Sequence, residues 1–129
     1  MVVSHSSDYA ISAMLYLAEQ PTGSVCSAQE ISSETGVHLP YLFKVLKGLR
    51  NARLVRSSKG VKGGYKLAPP AIRIRLNDII DAVSDTNPFD GCFLSHTNCG
   101  QQHPCGLHEA WESFRTRLYK ATLQDLKRN

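Results

Sequence analysis

A short helix, a glycine turn, a second helix and two short strands around a Gly- and Lys-rich loop follow one another between Ser27 and Leu67. Further on, apolar residues step by three and four from Leu107 to Leu126. This order predicts a mainly α chain with a small β-wing: a winged helix-turn-helix followed by a long C-terminal helix. At 129 residues the chain suits one domain with an appended element. An apolar share of 42% is enough for a core.

The elements read as follows. Ser7 can cap a helix from about Asp8 to Glu19, with Asp8 near its positive end. Ala10, Ile11, Met14, Leu15, Leu17 and Ala18 form its buried stripe, and Pro21-Thr22-Gly23 ends it. Ser27 followed three residues later by Glu30 is a capping-box pattern, and it opens a short helix through Thr35. Gly36 supplies the turn. The second helix runs from about Leu39 to Arg53, with Pro40 in its first turn and Leu42, Val45, Leu46 and Leu49 at helical spacing. Leu54 to Arg56 and Tyr65 to Leu67 read as the two strands of the wing. Pro69-Pro70 separates the wing from an extended piece at Ile74 to Leu76. Asn77 then caps a helix from Asp78 to about Val83. Residues 87–104 are irregular. From Leu107 to the end, Leu107, Trp111, Phe114, Leu118, Ala121 or Thr122, and Leu126 lie on one face of a single amphipathic helix, packed on its own domain or on a partner.

Charge is distributed unevenly. The net charge is +4, yet the first 43 residues contain no Lys or Arg. Ten cations lie between Lys44 and Arg75, with no Asp or Glu between Glu34 and Asp78. Such a block is either a solvated basic face or the electrostatic footprint of phosphate contacts. In a helix-turn-helix the start of the second helix faces the major groove, which selects His38, Leu39, Pro40, Tyr41 and Lys44 as base readers. Lys44 and His38 can donate to base acceptors or phosphates, and Tyr41 can reach a phosphate oxygen. Tyr41 packed on the core is the competing reading. In the wing loop the glycines allow a tight reversal and close approach. Lys59 and Lys62 can then reach a minor groove or flanking phosphates.

Three cysteines and a histidine fall within seventeen residues, Cys92, Cys99, Cys105 and His108, spaced C-x6-C-x5-C-x2-H. Thiolates suit zinc, copper(I) and iron–sulfur clusters, and a Cys3His set also matches structural zinc. Zinc sites usually show paired knuckles, which this loop lacks, and its wide spacings suit a bulkier object. A metal-free thiol redox switch is the third possibility. Cys26 stands apart and reads as a small semi-buried residue. His96 and His103 read as solvated loop histidines. No base is placed beside a nucleophile and no glycine-rich phosphate cradle is present, so an enzyme is not expected. No apolar run reaches the ~18 residues of a membrane span, and the N-terminus has no secretory pattern. The expected location is cytoplasmic, where closely spaced thiols read better as metal ligands than as disulfides.

This order of parts resembles the Rrf-two family of bacterial winged-helix repressors, over essentially the whole chain. The residues that carry the resemblance are Asp8-Tyr9-Ala10-Ile11 with Leu15-Tyr16-Leu17-Ala18, Pro40 to Leu46, Leu54 to Ser57 leading into Lys59 to Tyr65, and Cys105 to Trp111. The resemblance implies a homodimer joined by the C-terminal helices and bound to near-palindromic double-stranded promoter DNA. It implies an iron–sulfur cluster on Cys92, Cys99 and Cys105 whose state sets DNA affinity. His108 stands where an IscR-like branch has a histidine ligand, which goes with a 2Fe–2S cluster. Asp8 stands where an NsrR-like branch has a carboxylate ligand from the other subunit, which goes with 4Fe–4S. The chain has both, and the reading leans to His108. Phe43 departs from the polar residue many relatives carry there, so no relative's operator transfers. On this reading residues 1–86 are the DNA-binding domain, 87–106 the cluster-binding loop and 107–129 the dimerisation helix.

Overall fold

The computed structural model describes residues 4–85, 87, 89–91 and 106–127. Helix α1 spans His5–Glu19, α2 Ala28–Thr35 and α3 Leu39–Asn51. Strands β1 (Val55–Ser58) and β2 (Gly64–Leu67) pair antiparallel, with Val55 opposite Leu67 and Ser58 opposite Gly64. A 3-10 turn at Ala71–Arg73 leads to α4 (Leu76–Val83). Helix α5 (His108–Lys120) and the single turn α6 (Leu123–Leu126) follow. The predicted winged helix-turn-helix is therefore present.

One core holds these elements together. Ala10, Met14 and Leu17 of α1, Ile31 of α2, and Leu42, Leu46 and Leu49 of α3 meet Val55, Ile74, Ile79 and Leu123. The turn between α2 and α3 uses Gly36 at φ 76°, a left-handed conformation that costs glycine little. Ser27 accepts a hydrogen bond from the Glu30 amide at 3.1 Å, as the capping pattern predicts. Close packing of α3 on α4 explains a glycine inside the second helix. A Cβ at Gly48 would lie 2.8 Å from the Ala82 carbonyl oxygen.

Several sequence expectations are corrected. The cap of α1 is Ser4, whose Oγ accepts from the Ser7 amide at 3.2 Å. Ser7 itself lies inside the helix, fully buried. Helix α3 stops at Asn51, and Arg53 takes a left-handed φ of 63° to turn the chain into β1. Helix α4 begins at Leu76, and the Asp78 carboxylate accepts from the Arg75 amide at 3.0 Å, so Asn77 is not its cap.

The largest correction is at the C-terminus. The helix predicted to run from Leu107 to the end breaks after Lys120. Thr122 and Asp125 form a reciprocal capping box that opens α6. Arg75 and Thr122 form an antiparallel bridge, with Leu123 N–H donating to the Ile74 carbonyl at 2.7 Å. The chain thus folds back and buries Leu123 completely in the main core.

Candidate nucleic-acid interface and thiol loop

Helix α3 is anchored by one face and open on the other. Leu42, Val45, Leu46 and Leu49 are buried. Tyr41 (54% exposed), Phe43, Lys44, Lys47 and Arg50 face outward. His38 is the exposed N-cap and makes no side-chain capping bond. Pro40 is exposed and Leu39 half-buried. Tyr41 is not a core residue. Its ring stacks on Tyr9 at 5.8 Å and tilts against His38 at 5.8 Å, and Tyr9 in turn stacks on His5 at 6.1 Å. The sequence reading passed over His5 and Tyr9, although their i, i+4 spacing on α1 is the signal that they share a face. His5, Ser6, Tyr9, Tyr41, Lys44 and Val45 line a cavity of about 310 Å³ at the mouth of α3.

The wing presents Lys59, Gly60, Val61 and Lys62 at its tip, all exposed. The turn closes with the Gly63 amide donating to the Gly60 carbonyl at 2.9 Å. None of the ten cations between Lys44 and Arg75 pairs with a carboxylate among the described residues; the ion pair found there joins Arg115 to Glu112. A basic face without internal counter-charge favours a polyanion.

Cys26 has a structural task that periodicity could not reveal. It forms an isolated bridge to β2, its amide donating to the Tyr65 carbonyl at 2.9 Å and its carbonyl accepting from the Tyr65 amide at 2.7 Å. Burial pushes its thiol up to about 12, with the Glu30 carboxylate adding to the effect. A thiol held protonated is a poor nucleophile and a poor ligand.

Cys92, Cys99 and Cys105, with His96 and His103, lie outside the described residues. Their flanks do not. Phe89 is buried against Leu76 and Ile80 of α4, with Trp111 and Leu118 of α5 packed around them. The Trp111 indole donates to the Gly91 carbonyl at 2.7 Å. The Tyr119 hydroxyl donates to the Asp90 carboxylate at 2.7 Å. Burial raises the Tyr119 pKa, and the Asp90 bond adds to this while Arg115 opposes it. Gly91 adjoins Cys92, and Gly106 adjoins Cys105 and leads directly into α5. One end of the thiol loop is thus held to α5 by Trp111 and the other runs directly into α5, where His108 is the first helical residue and half-buried. Asp8 is half-buried in the first turn of α1, one turn before Ile11, which packs on the Phe89 cluster.

The profile of the Rrf2 family, described as an iron-dependent transcriptional regulator, matches residues 3–129. A Neisseria meningitidis protein named as an HTH-type transcriptional regulator is 38% identical over 110 residues, covering 85% of this chain and 74% of that protein. One from Aquifex aeolicus with the same designation is 30% identical over 98% of this chain and 91% of its own. Among solved structures, T. potens IscR superimposes with a TM-score of 0.73 at 29% identity, over 96% of this chain and 84% of that one. CymR, the global cysteine regulator of B. subtilis, does so with a TM-score of 0.74 at 26% identity, over 96% and 94%. An exposed recognition helix, a basic wing and a match over nearly every residue agree: this chain belongs to the Rrf2 family of DNA-binding transcriptional regulators.

Proposed function

We propose that the protein is a homodimeric, cytoplasmic repressor whose affinity for promoter DNA depends on an iron–sulfur cluster held by the thiol loop. The observation that carries this reading is that both flanks of the loop attach to α5, Gly91 through Trp111 and Gly106 through the chain leading to His108. Cys92, Cys99 and Cys105 would hold the cluster, with His108 as the fourth ligand and a 2Fe–2S centre, ahead of Asp8 from the other subunit and 4Fe–4S. Three soft thiolates and an imidazole fit such a group. When bound it supplies a centre whose charge and integrity respond to iron, nitric oxide and redox state. His38, Leu39, Pro40, Tyr41 and Lys44 read the major groove, and Lys59 and Lys62 grip phosphates or the minor groove. Leu107 (47% exposed) and Phe114 (49% exposed) supply an apolar face for a second copy.

Anaerobic purification tests the cluster. A brown protein with stoichiometric iron and sulfide is expected, and a colourless one with stoichiometric zinc would make the site structural. Replacing Cys92, Cys99 or Cys105 with Ala abolishes cluster retention, whereas Cys26→Ala does not. His108→Ala makes the cluster labile and shifts its visible absorption more than Asp8→Ala; the reverse ranking moves the protein to the carboxylate-ligated branch.

A further inference from the structure

The segment before the first thiol is held from two sides. On one side Asn87 donates through Nδ2 to the Asn77 side-chain oxygen on α4 and, at 3.4 Å, to Asp81 Oδ1. Its own Oδ1 accepts from the Phe89 amide at 3.0 Å, an Asx turn that aims Phe89 into the cluster with Leu76 and Ile80. On the other side Trp111 and Tyr119 of α5 bind Gly91 and Asp90 at 2.7 Å each, and Tyr119 also reaches the Phe89 carbonyl at 3.3 Å. Three consecutive residues, Phe89 to Gly91, are therefore fixed to α4 and α5 together, ending one residue short of Cys92.

What lies behind α4 gives this arrangement a consequence. Gly48 of α3 sits so close to α4 that even a methyl group would lie 2.8 Å from the Ala82 carbonyl oxygen. Close-packed surfaces transmit displacement instead of absorbing it. A shift of α4 must therefore move α3, the helix whose other face carries Tyr41 and Lys44.

We propose that Asn77, Asn87 and Tyr119 are positioning residues of a two-sided clasp: Tyr119 fixes the entry to the thiol loop on α5, and the Asn77–Asn87 contact passes the state of that loop through α4 to the recognition helix. This rests on the reading of residues 92–105 as the sensing loop, and it adds the route by which the loop reaches DNA. The bonds are side-chain contacts at a partly exposed edge, so they can be removed without opening the core.

The test measures operator affinity by fluorescence anisotropy, on a site selected in vitro, for protein with the loop empty and loaded. The load is supplied in two ways: reconstituted iron and sulfide, and a small maleimide on the loop thiols, which needs no metal and leaves the buried Cys26 untouched. In the parent, loaded and empty forms should differ by a factor of ~5–150, the usual span of a coupling between two sites. Asn77→Ala should bring that ratio several-fold closer to one while the empty form keeps its affinity within about twofold. Asn87→Asp keeps the Phe89 turn, loses the donor to both Asn77 and Asp81 and sets a carboxylate against Asp81, so it should bring the ratio at least as close to one. Tyr119→Phe should speed the loss of visible absorption from the cluster form and change the emission of Trp111, the single tryptophan of the chain. A parent that shows coupling only with the maleimide refutes the iron–sulfur reading and leaves the clasp standing. Ratios in Asn77→Ala and Asn87→Asp equal to the parent's under both loads overturn the clasp, as does a parent ratio of one under both.

Discussion

At the scale of single residues, opposing effects can be weighed at Gly48. Ala in a helix interior is favoured over Gly by ~1 kcal/mol. Here the added carbon meets a backbone carbonyl at 2.8 Å and Val83 Cγ1 at 3.3 Å. Overpacking of this kind costs ~1–3 kcal/mol, and a backbone atom has no rotamer by which to retreat. Gly48→Ala is therefore expected to lower stability by on the order of 1 kcal/mol, read as a lower urea midpoint with unchanged slope. A stabilised variant would show that α3 and α4 have slack between them. The proposed base readers give a second prediction. Lys44 is exposed with no carboxylate partner among the described residues, so its loss leaves the fold intact. Lys44→Ala should cost ~1–3 kcal/mol of operator affinity at one base position and relax preference there. Uniform weakening across all operator variants would make Lys44 a phosphate contact instead.

At the scale of elements, the C-terminal region separates two jobs that its sequence runs together. The apolar stripe reads as one face, but Trp111, Leu118 and Leu126 pack toward Leu76, Ile80 and Phe89 of their own chain. Leu107 and Phe114 each leave about half their surface exposed, and the Phe114 ring edge meets Phe89 at 6.2 Å. Phe114→Glu should place an unpaired charge in the proposed contact between copies, at a cost of several kcal/mol if fully desolvated. Sedimentation should then show monomer, with a modest fall in the thermal midpoint from the lost ring contacts with Phe89 and Trp111. Leu118→Glu should lower that midpoint further. If Phe114→Glu leaves a dimer intact, the partner surface lies elsewhere. The break itself was readable: Thr122-x-x-Asp125 is a local capping signal of the same kind as Ser27-x-x-Glu30. The stepping of Leu118 and Leu126 masked the signal, because their spacing stays compatible with a helix across the two extended residues Ala121 and Thr122. At the other end the sequence points to Ser7 as the cap, because the helix begins three residues earlier than its apolar spacing shows and Ser4 is the residue that bonds the Ser7 amide. Cys26 was beyond reach for another reason. Its partner, Tyr65, is distant in sequence, and a single bridging residue has no periodicity. Conversely, the recognition helix and wing were legible because caps, Gly36 and the apolar spacing are all local. The thiol ligand set rests on composition and family resemblance.

At the scale of the whole molecule, symmetry and charge can be tested together. Chains that pair through an isologous patch present two wings, one to each half-site. Each phosphate contact removed flattens the slope of log affinity against log salt by ~0.9. In a dimer every substitution is made twice, so Lys59→Ala or Lys62→Ala should flatten the slope by ~1.8 if both wings grip phosphates. The weakening should be alike for specific and random DNA, since phosphates carry no sequence. A change of ~0.9 would mean that one wing engages per bound dimer, or that the protein binds as a monomer, and sedimentation of the complex separates the two. No change in slope would leave the exposed lysines of the tip without a role in binding. The basic footprint would then rest on α3 and the strands, with Arg50, Arg53 and Arg56 as its carriers.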